Sequence, residues 1–324
     1  MNIVEYLNQL NFTALFLVFI ISKLLIETYL KIRNISSINE NKETIPERFI
    51  NVVTEEEYKK SINYNIERIR FSILTSVFGV GVLLFFTIGG MLNNLTVFVQ
   101  GVTASNVIGA IFLGLLLIVI GEIIEIPLAV YSTFHIEEKY GFNKTTTKTF
   151  VTDLFKNLLI QSIFSSILYA IVISIIENLG NNWWIYAFIA VFLLQVIIFY
   201  IYPVLILPLF NKFEPLEDEK FKKPIERLLK KIEFKAKGLF VMDGSLRSSH
   251  GNAFFTGFGN NKRIVFYDTL LETITPDEME SILGHELGHY KLGHIKKTLI
   301  SSIFFGFAGF YILGQVFQSE NFFY

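Results

Sequence analysis

The 324-residue chain has no cysteine, which excludes disulfides and cysteine–metal sites and leaves histidine and carboxylate as the side chains for a tightly held cation. Positive charge is missing from whole segments: residues 1–10, 93–106, 177–182 and 318–324 contain neither Lys nor Arg. Without a basic start, and without a small-residue cleavage site after its first apolar stretch, the N-terminus does not read as a signal peptide. Net charge is only −1. The basic loops are offset by acidic residues and carry no DNA- or RNA-binding motif, so no nucleic-acid partner is expected. No internal repeat or low-complexity tract is evident.

What the chain has in abundance is apolar length. Hydrophobic residues make up 52% of it, including 34 Phe. Six runs of about 20 residues read as membrane spans: Ala14–Leu30, Phe71–Leu92, Val107–Tyr131, Leu158–Ile176, Trp183–Leu209 and Leu299–Phe317. The first is interrupted by Lys23 and Glu27. Basic residues concentrate between spans, with eight in 31–70, four in 132–157 and fifteen in 210–298; with Lys23 these are all 28. That alternation is the positive-inside pattern. It predicts an outside N-terminus and places the three basic segments in the cytoplasm. The expected organisation is a transmembrane helical domain over 1–210, with five spans and cytoplasmic loops 31–70 and 132–157. A cytoplasmic region follows over 211–298, then a sixth span and short outer end over 299–324. Asn-, Ile- and Lys-rich usage resembles that of an AT-rich bacterial genome, which suggests a bacterial inner membrane.

Within the last cytoplasmic segment stands His285-Glu286-Leu287-Gly288-His289. HExxH on a helix sets two imidazoles about 40° apart around the axis, so both can bind one Zn²⁺, with Glu286 in the same arc as a base for the activated water. The helix start is well specified: Thr275 reads as N-cap, Pro276 as first helical residue, and Glu278 as the reciprocal capping partner. Met279, Ile282, Leu283 and Leu287 then form an apolar face. The alternative, a surface helix with solvated histidines, fits this start less well. Gly293 and His294 are each one position off the metzincin extension, so His294 reads as an exposed residue of the helix end and the third ligand must lie elsewhere.

Around this helix, Phe221–Ile232 reads as helical, and Gly238–Met242, Asn252–Phe258 and Arg263–Tyr267 as short strands joined by a loop over Val241–Asn252. A small sheet followed by a zinc helix is the arrangement in which an edge strand can hold an extended substrate. In the third span, Glu122 and Glu125 share one helical face, facing either a water-filled cavity or a polar contact between helices.

Three further stretches, with His285–His289, resemble the signatures of the type I CAAX prenyl endopeptidases, integral-membrane zinc metalloproteases of gluzincin type. They are Glu125–Tyr131 running on through Phe134 to Ile136–Thr145, then Pro208–Leu216, and Met242–Phe258 leading into Lys262–Leu270. The resemblance implies His285 and His289 as zinc ligands, Glu286 as general base, Asn252 at the substrate cleft, and a water-filled chamber that would account for Glu122 and Glu125. It also implies a seventh span and a cytoplasmic tail bearing the third ligand, a glutamate. The sequence stops at Tyr324, and Glu320 would lie about 30 Å away across the membrane. The expectation is therefore an N-terminal portion of the enzyme, inactive in the 324-residue form.

The fold class expected is mainly α: a polytopic helical membrane protein with a small α+β, zincin-like cytoplasmic metalloprotease region. The expected activity is zinc-dependent endopeptidase cleavage of membrane-associated or CAAX-type C-terminal peptides. The expected partners are a peptide or membrane-protein substrate and the lipid bilayer. The alternative is a truncated, non-catalytic scaffold or binding protein that keeps the fold. A transporter would need inverted repeats or broken helices, and neither is visible.

The alternation of charge can be tested directly. Single cysteines introduced at Asn41 and Asn94 of this cysteine-free chain should react with an impermeant thiol reagent from opposite faces of a sealed membrane. Labelling of both from one face would refute the topology.

Overall fold

The computed structural model describes residues 3–232, 234, 237–256 and 262–318. Six helices among them are long and apolar enough to cross a membrane: Phe12–Asn41, Glu55–Phe86, Asn106–Glu137, Thr147–Asn178, Gly180–Phe210 and Lys296–Phe317. Each overlaps one of the six expected runs. Phe19, Leu25, Phe155, Leu193, Phe304 and Phe305 stand more than half exposed along them. Such a surface suits hydrocarbon better than water, and a helix satisfies its own backbone N–H and C=O groups there.

The chain divides into two units, Met1–Tyr140 with Gln315–Tyr324, and Gly141–Gly314. The first contains α1 (Ile3–Asn41), α2 (Glu55–Phe86), α3 (Met91–Val102) and α4 (Asn106–Tyr131), the last continued by a π-helical turn over Ser132–Glu137. Thr54 caps α2 reciprocally with Glu57. The Lys31 ammonium joins α1 to α2 by donating to the Ser72 carbonyl at 3.1 Å and to Ser76 Oγ at 2.8 Å. Glu67 accepts from Lys139 at 2.6 Å and from the Tyr140 hydroxyl at 2.7 Å, fastening the segment after α4 to α2.

The second span ends earlier than its hydropathy suggests, at Phe86 rather than Leu92. Gly90 turns the chain with φ 75°, where any side chain would be strained, and a Cβ on Gly89 would meet the Phe85 carbonyl. The uncharged residues that follow, read as a non-basic loop, form α3 instead. A cavity of about 710 Å³ between α2 and α4 is lined by Glu125 with Thr75, Gly121 and Ser132. Glu122 is not among its lining residues, so the environment expected to be common to both carboxylates is not shared at this cavity. Three residues apart, they diverge by about 60° around the helix.

The second unit begins with α5 (Thr147–Asn178) and α6 (Trp183–Ile201), followed by a π-helical turn over Tyr202–Ile206 and α7 (Leu207–Phe210). Trp183, Trp184 and Ala187 are buried at the start of α6 against Ile175, Ile176 and Phe310. Four strands then form one sheet: β1 (Phe213–Pro215), β2 (Gly238–Met242), β3 (Ala253–Thr256) and β4 (Arg263–Tyr267), in the order β1-β2-β4-β3. β2 and β4 run parallel from Gly238↔Arg263 to Met242↔Tyr267, while β1 and β3 pair antiparallel at the two edges. β2 and β4 have the expected limits. β3 lies within the expected Asn252–Phe258, of which Gly257 and Phe258 fall outside the described residues, as does Glu320.

α8 (Glu219–Lys231), α9 (Asp268–Thr273) and α10 (Pro276–Lys291) accompany the sheet, and α11 (His294–Phe317) follows. Phe221, Ile225 and Leu229 of α8 meet Met279, Leu283 and Leu287 of α10 over Ile264 and Phe266 of β4. These three α10 residues belong to the apolar face expected from the sequence, and Ile282 is only partly buried. Truncation there should be costly because the surrounding helices and sheet cannot collapse into the gap. Leu283→Ala is expected to destabilise the protein by about 2–5 kcal/mol, and Leu283→Met by less than about 1.5 kcal/mol. Equal shifts in thermal unfolding for the two variants would show that this core does not govern stability.

Candidate metal centre and active site

The start of α10 is built as its sequence implies. Thr275 N–H donates to Glu278 Oε2 at 2.7 Å, and Glu278 N–H returns a bond to Thr275 Oγ1 at 3.4 Å. The Thr275 backbone bond first, and its hydroxyl second, hold the Glu278 carboxyl below its ordinary 4.5. Because the folded-state value is depressed, the stability this bond contributes is complete above the unfolded-state value. It is lost as pH falls through the folded one.

With one face of α10 held in the core, His285 and His289 stand on its exposed side one turn apart. Their Nε2 atoms are 3.1 Å from each other and the rings meet at 75°. Two nitrogens each about 2.0–2.1 Å from a tetrahedral Zn²⁺ would be separated by about 3.3 Å. The pair therefore fits two corners of such a site. Glu286 is half-buried, and its carboxylate has no side-chain partner among the described residues. No group of three or more His, Asp or Glu that could hold an ion occurs among the described residues.

His294 is not the exposed helix-end residue expected. α10 stops at Lys291, Gly293 turns the chain at φ 66°, and His294 opens α11. Its Nδ1 lies 2.7 Å from His289 Nδ1. That contact is on the ring nitrogen opposite the one facing His285, so His294 does not converge with His285 and His289 on one point.

Asn252 sits at the entrance to β3. Its Oδ1 accepts from the Ala253 N–H at 2.8 Å, its carbonyl accepts from the Tyr267 N–H at 2.9 Å, and its amide NH₂ has no partner among the described residues. β3 is an edge of the sheet and packs against α10. The structure thus brings the Asn252 strand to the histidine helix.

A group that sequence reasoning did not single out fixes the loop before Asn252. Arg247 Nε and Nη2 donate to the two Asp153 oxygens at 2.6 and 3.0 Å; Nη1 reaches Asn211 Oδ1 at 2.9 Å and Nη2 the Phe210 carbonyl at 2.8 Å. Around it, Ser249 N–H donates to the Phe142 carbonyl at 3.0 Å, and His250 stacks on Phe142 with centroids 4.2 Å apart. Three stretches noted only as signatures, Ile136–Thr145, Pro208–Leu216 and Met242–Phe258, meet at this clasp. Their joint recurrence was the available signal, but the pairing of Asp153 with Arg247 was not readable from spacing.

Residues 34–212 match the family model for the CAAX prenyl protease N-terminal region with its five membrane helices, and residues 215–323 match Peptidase family M48. The chain belongs to the CAAX prenyl protease family. It is 35% identical over 318 residues to CAAX prenyl protease 1 of Saccharomyces cerevisiae, covering 94% of this chain and 69% of that protein. It is 36% identical over 300 residues to the CAAX prenyl protease 1 homolog of Arabidopsis thaliana, covering 87% and 68%. The crystal structure of S. mikatae Ste24p superposes with a TM-score of 0.87 at 32% identity, over 94% of this chain and 72% of that one. As a member of the CAAX prenyl protease family, the protein is a membrane-embedded metalloprotease of mainly helical fold.

The clasp makes a measurable demand on stability. Arg247→Leu leaves the Asp153 carboxylate, only 18% exposed, without its counter-ion, and is expected to destabilise the protein by about 2–4 kcal/mol. Arg247→Lys keeps the charge, loses the planar fork, and should fall between the two. Unfolding curves in detergent that overlay for all three proteins would remove the clasp as a structural determinant.

Proposed function

We propose that the protein is a zinc-dependent endopeptidase in which His285 and His289 hold the metal and Glu286 moves the proton. The observation that carries this reading is the 3.1 Å convergence of the two Nε2 atoms on the helix that also carries Glu286, whose carboxylate has no side-chain partner among the described residues. Zinc, when bound there, supplies Lewis-acid polarisation and a lowered pKa for water. Glu286 takes the proton of the attacking water and delivers it to the departing amine nitrogen, acting first as base and then as acid.

Substrate binding is assigned to β3 and Asn252. An edge strand presents backbone N–H and C=O groups to an extended peptide, and the Asn252 amide, without a partner among the described residues, can donate to a peptide carbonyl at the end of that edge. The substrates proposed are membrane-associated peptides and CAAX-type C-termini, a reading supported by the names of the relatives, which are CAAX prenyl proteases. We assign 1–210 as a transmembrane domain, 211–298 as the catalytic region and 299–324 as a sixth span with its outer end. The distribution of Lys and Arg supports a cytoplasmic active site. The bacterial inner membrane suggested by composition gains no support from the relatives named above, which are eukaryotic.

In an active preparation, Glu286→Gln should lower peptide cleavage by about 10²–10⁴-fold, with zinc content by atomic emission near that of the unmodified protein. Zinc lost together with activity would make Glu286 a ligand and not the proton carrier.

A further inference from the structure

We propose that His294 is a positioning residue that locks the ring of His289 with its Nε2 toward the metal, an inference that rests on the metal-binding reading of His285 and His289. The two Nδ1 atoms are 2.7 Å apart, with ring centroids 4.8 Å apart and planes inclined at 69°. At that distance one proton lies between the nitrogens, so one ring donates and the other accepts. The choice follows from the far side of His289. Its Nε2 faces His285 Nε2, and a nitrogen that binds a cation carries no proton. Neutral His289 must therefore carry its proton on Nδ1 and donate it to His294, which accepts on Nδ1 and keeps its own proton on Nε2.

The backbone is arranged to make this contact. In an uninterrupted helix a residue five positions on would sit about 140° around the axis from His289, on another face. The break after Lys291 and the left-handed Gly293 change that direction, and the first residue of α11 returns to the end of α10. Leu292 N–H still bonds the Gly288 carbonyl at 2.9 Å, and Lys297 N–H bonds the Gly293 carbonyl at 3.0 Å, so both helix ends are tied down around the turn. His285 has no counterpart to this support: among the described residues its only side-chain hydrogen-bond partner is His289. The buttress thus acts on one ligand of the pair.

The test uses the full chain in detergent and compares the unmodified protein with His294→Leu and His294→Asn. Asn places an amide oxygen close to where Nδ1 accepts; Leu fills the space without accepting. Zinc affinity, measured by competition with a chromophoric chelator, should fall about 10–100-fold in His294→Leu and recover most of that loss in His294→Asn. Without metal, nitrogen NMR of labelled histidines should show His289 as the Nδ1–H tautomer in the unmodified and Asn proteins, and shifted toward Nε2–H in the Leu protein. Equal losses in both variants, or unchanged affinity in His294→Leu, overturn the proposal, as does an Nε2–H tautomer of His289 in the unmodified protein. A locked Nδ1–H tautomer in a chain that binds no zinc would instead remove the metal-binding reading and leave the buttress standing.

Discussion

The rotation of α10 about its own axis is set by Met279, Leu283 and Leu287, which are buried against α8 and β4. Each large side chain withdrawn from water contributes about 1.5–3 kcal/mol, so turning this face outward would forfeit several such terms at once. On the exposed side, His285 and His289 contribute no such burial. The side of α10 on which the imidazoles stand is a by-product of what the opposite face buries. Cap and core act on the same helix: the Thr275–Glu278 box fixes where α10 begins, and the packing fixes how it is turned.

The strand that reaches this helix is held by a different kind of interaction. The loop before Asn252 is mostly polar and could not be anchored by burial. A single guanidinium, with three of its nitrogens bonded to Asp153, Asn211 and the Phe210 carbonyl, supplies geometry where the loop has little apolar surface. Lysine has one charged nitrogen and cannot reproduce those directions.

These two mechanisms explain which parts were legible in the sequence. Periodicity and local capping are written within a dozen residues, so the six spans, the Thr275 cap, the α10 face, and the limits of β2 and β4 could be read directly. β1 escaped because it is three residues long and ends in Pro215, a poor strand signal. α3 escaped because an uncharged stretch after a span looks like a loop unless the Gly89-Gly90 turn is weighed. The Asp153–Arg247 pair and the His289–His294 contact escaped because neither follows a helical or strand period. One joins residues 94 positions apart, and the other depends on the turn at Gly293.

The parallel pairing of β2 with β4 also bears on how the protein assembles. Gly238 must find Arg263, and the chain between them carries both the clasped loop and β3. Closing a loop of that length has an entropic cost before any strand bond forms, and non-local parallel pairing is slow for that reason. Arg247 lies inside this loop, and one of its partners, Asp153, is near the start of α5. An α5 already seated in the bilayer offers a fixed docking point that shortens the search. In the folded protein the sheet's own connection is thus tied to a helix outside it.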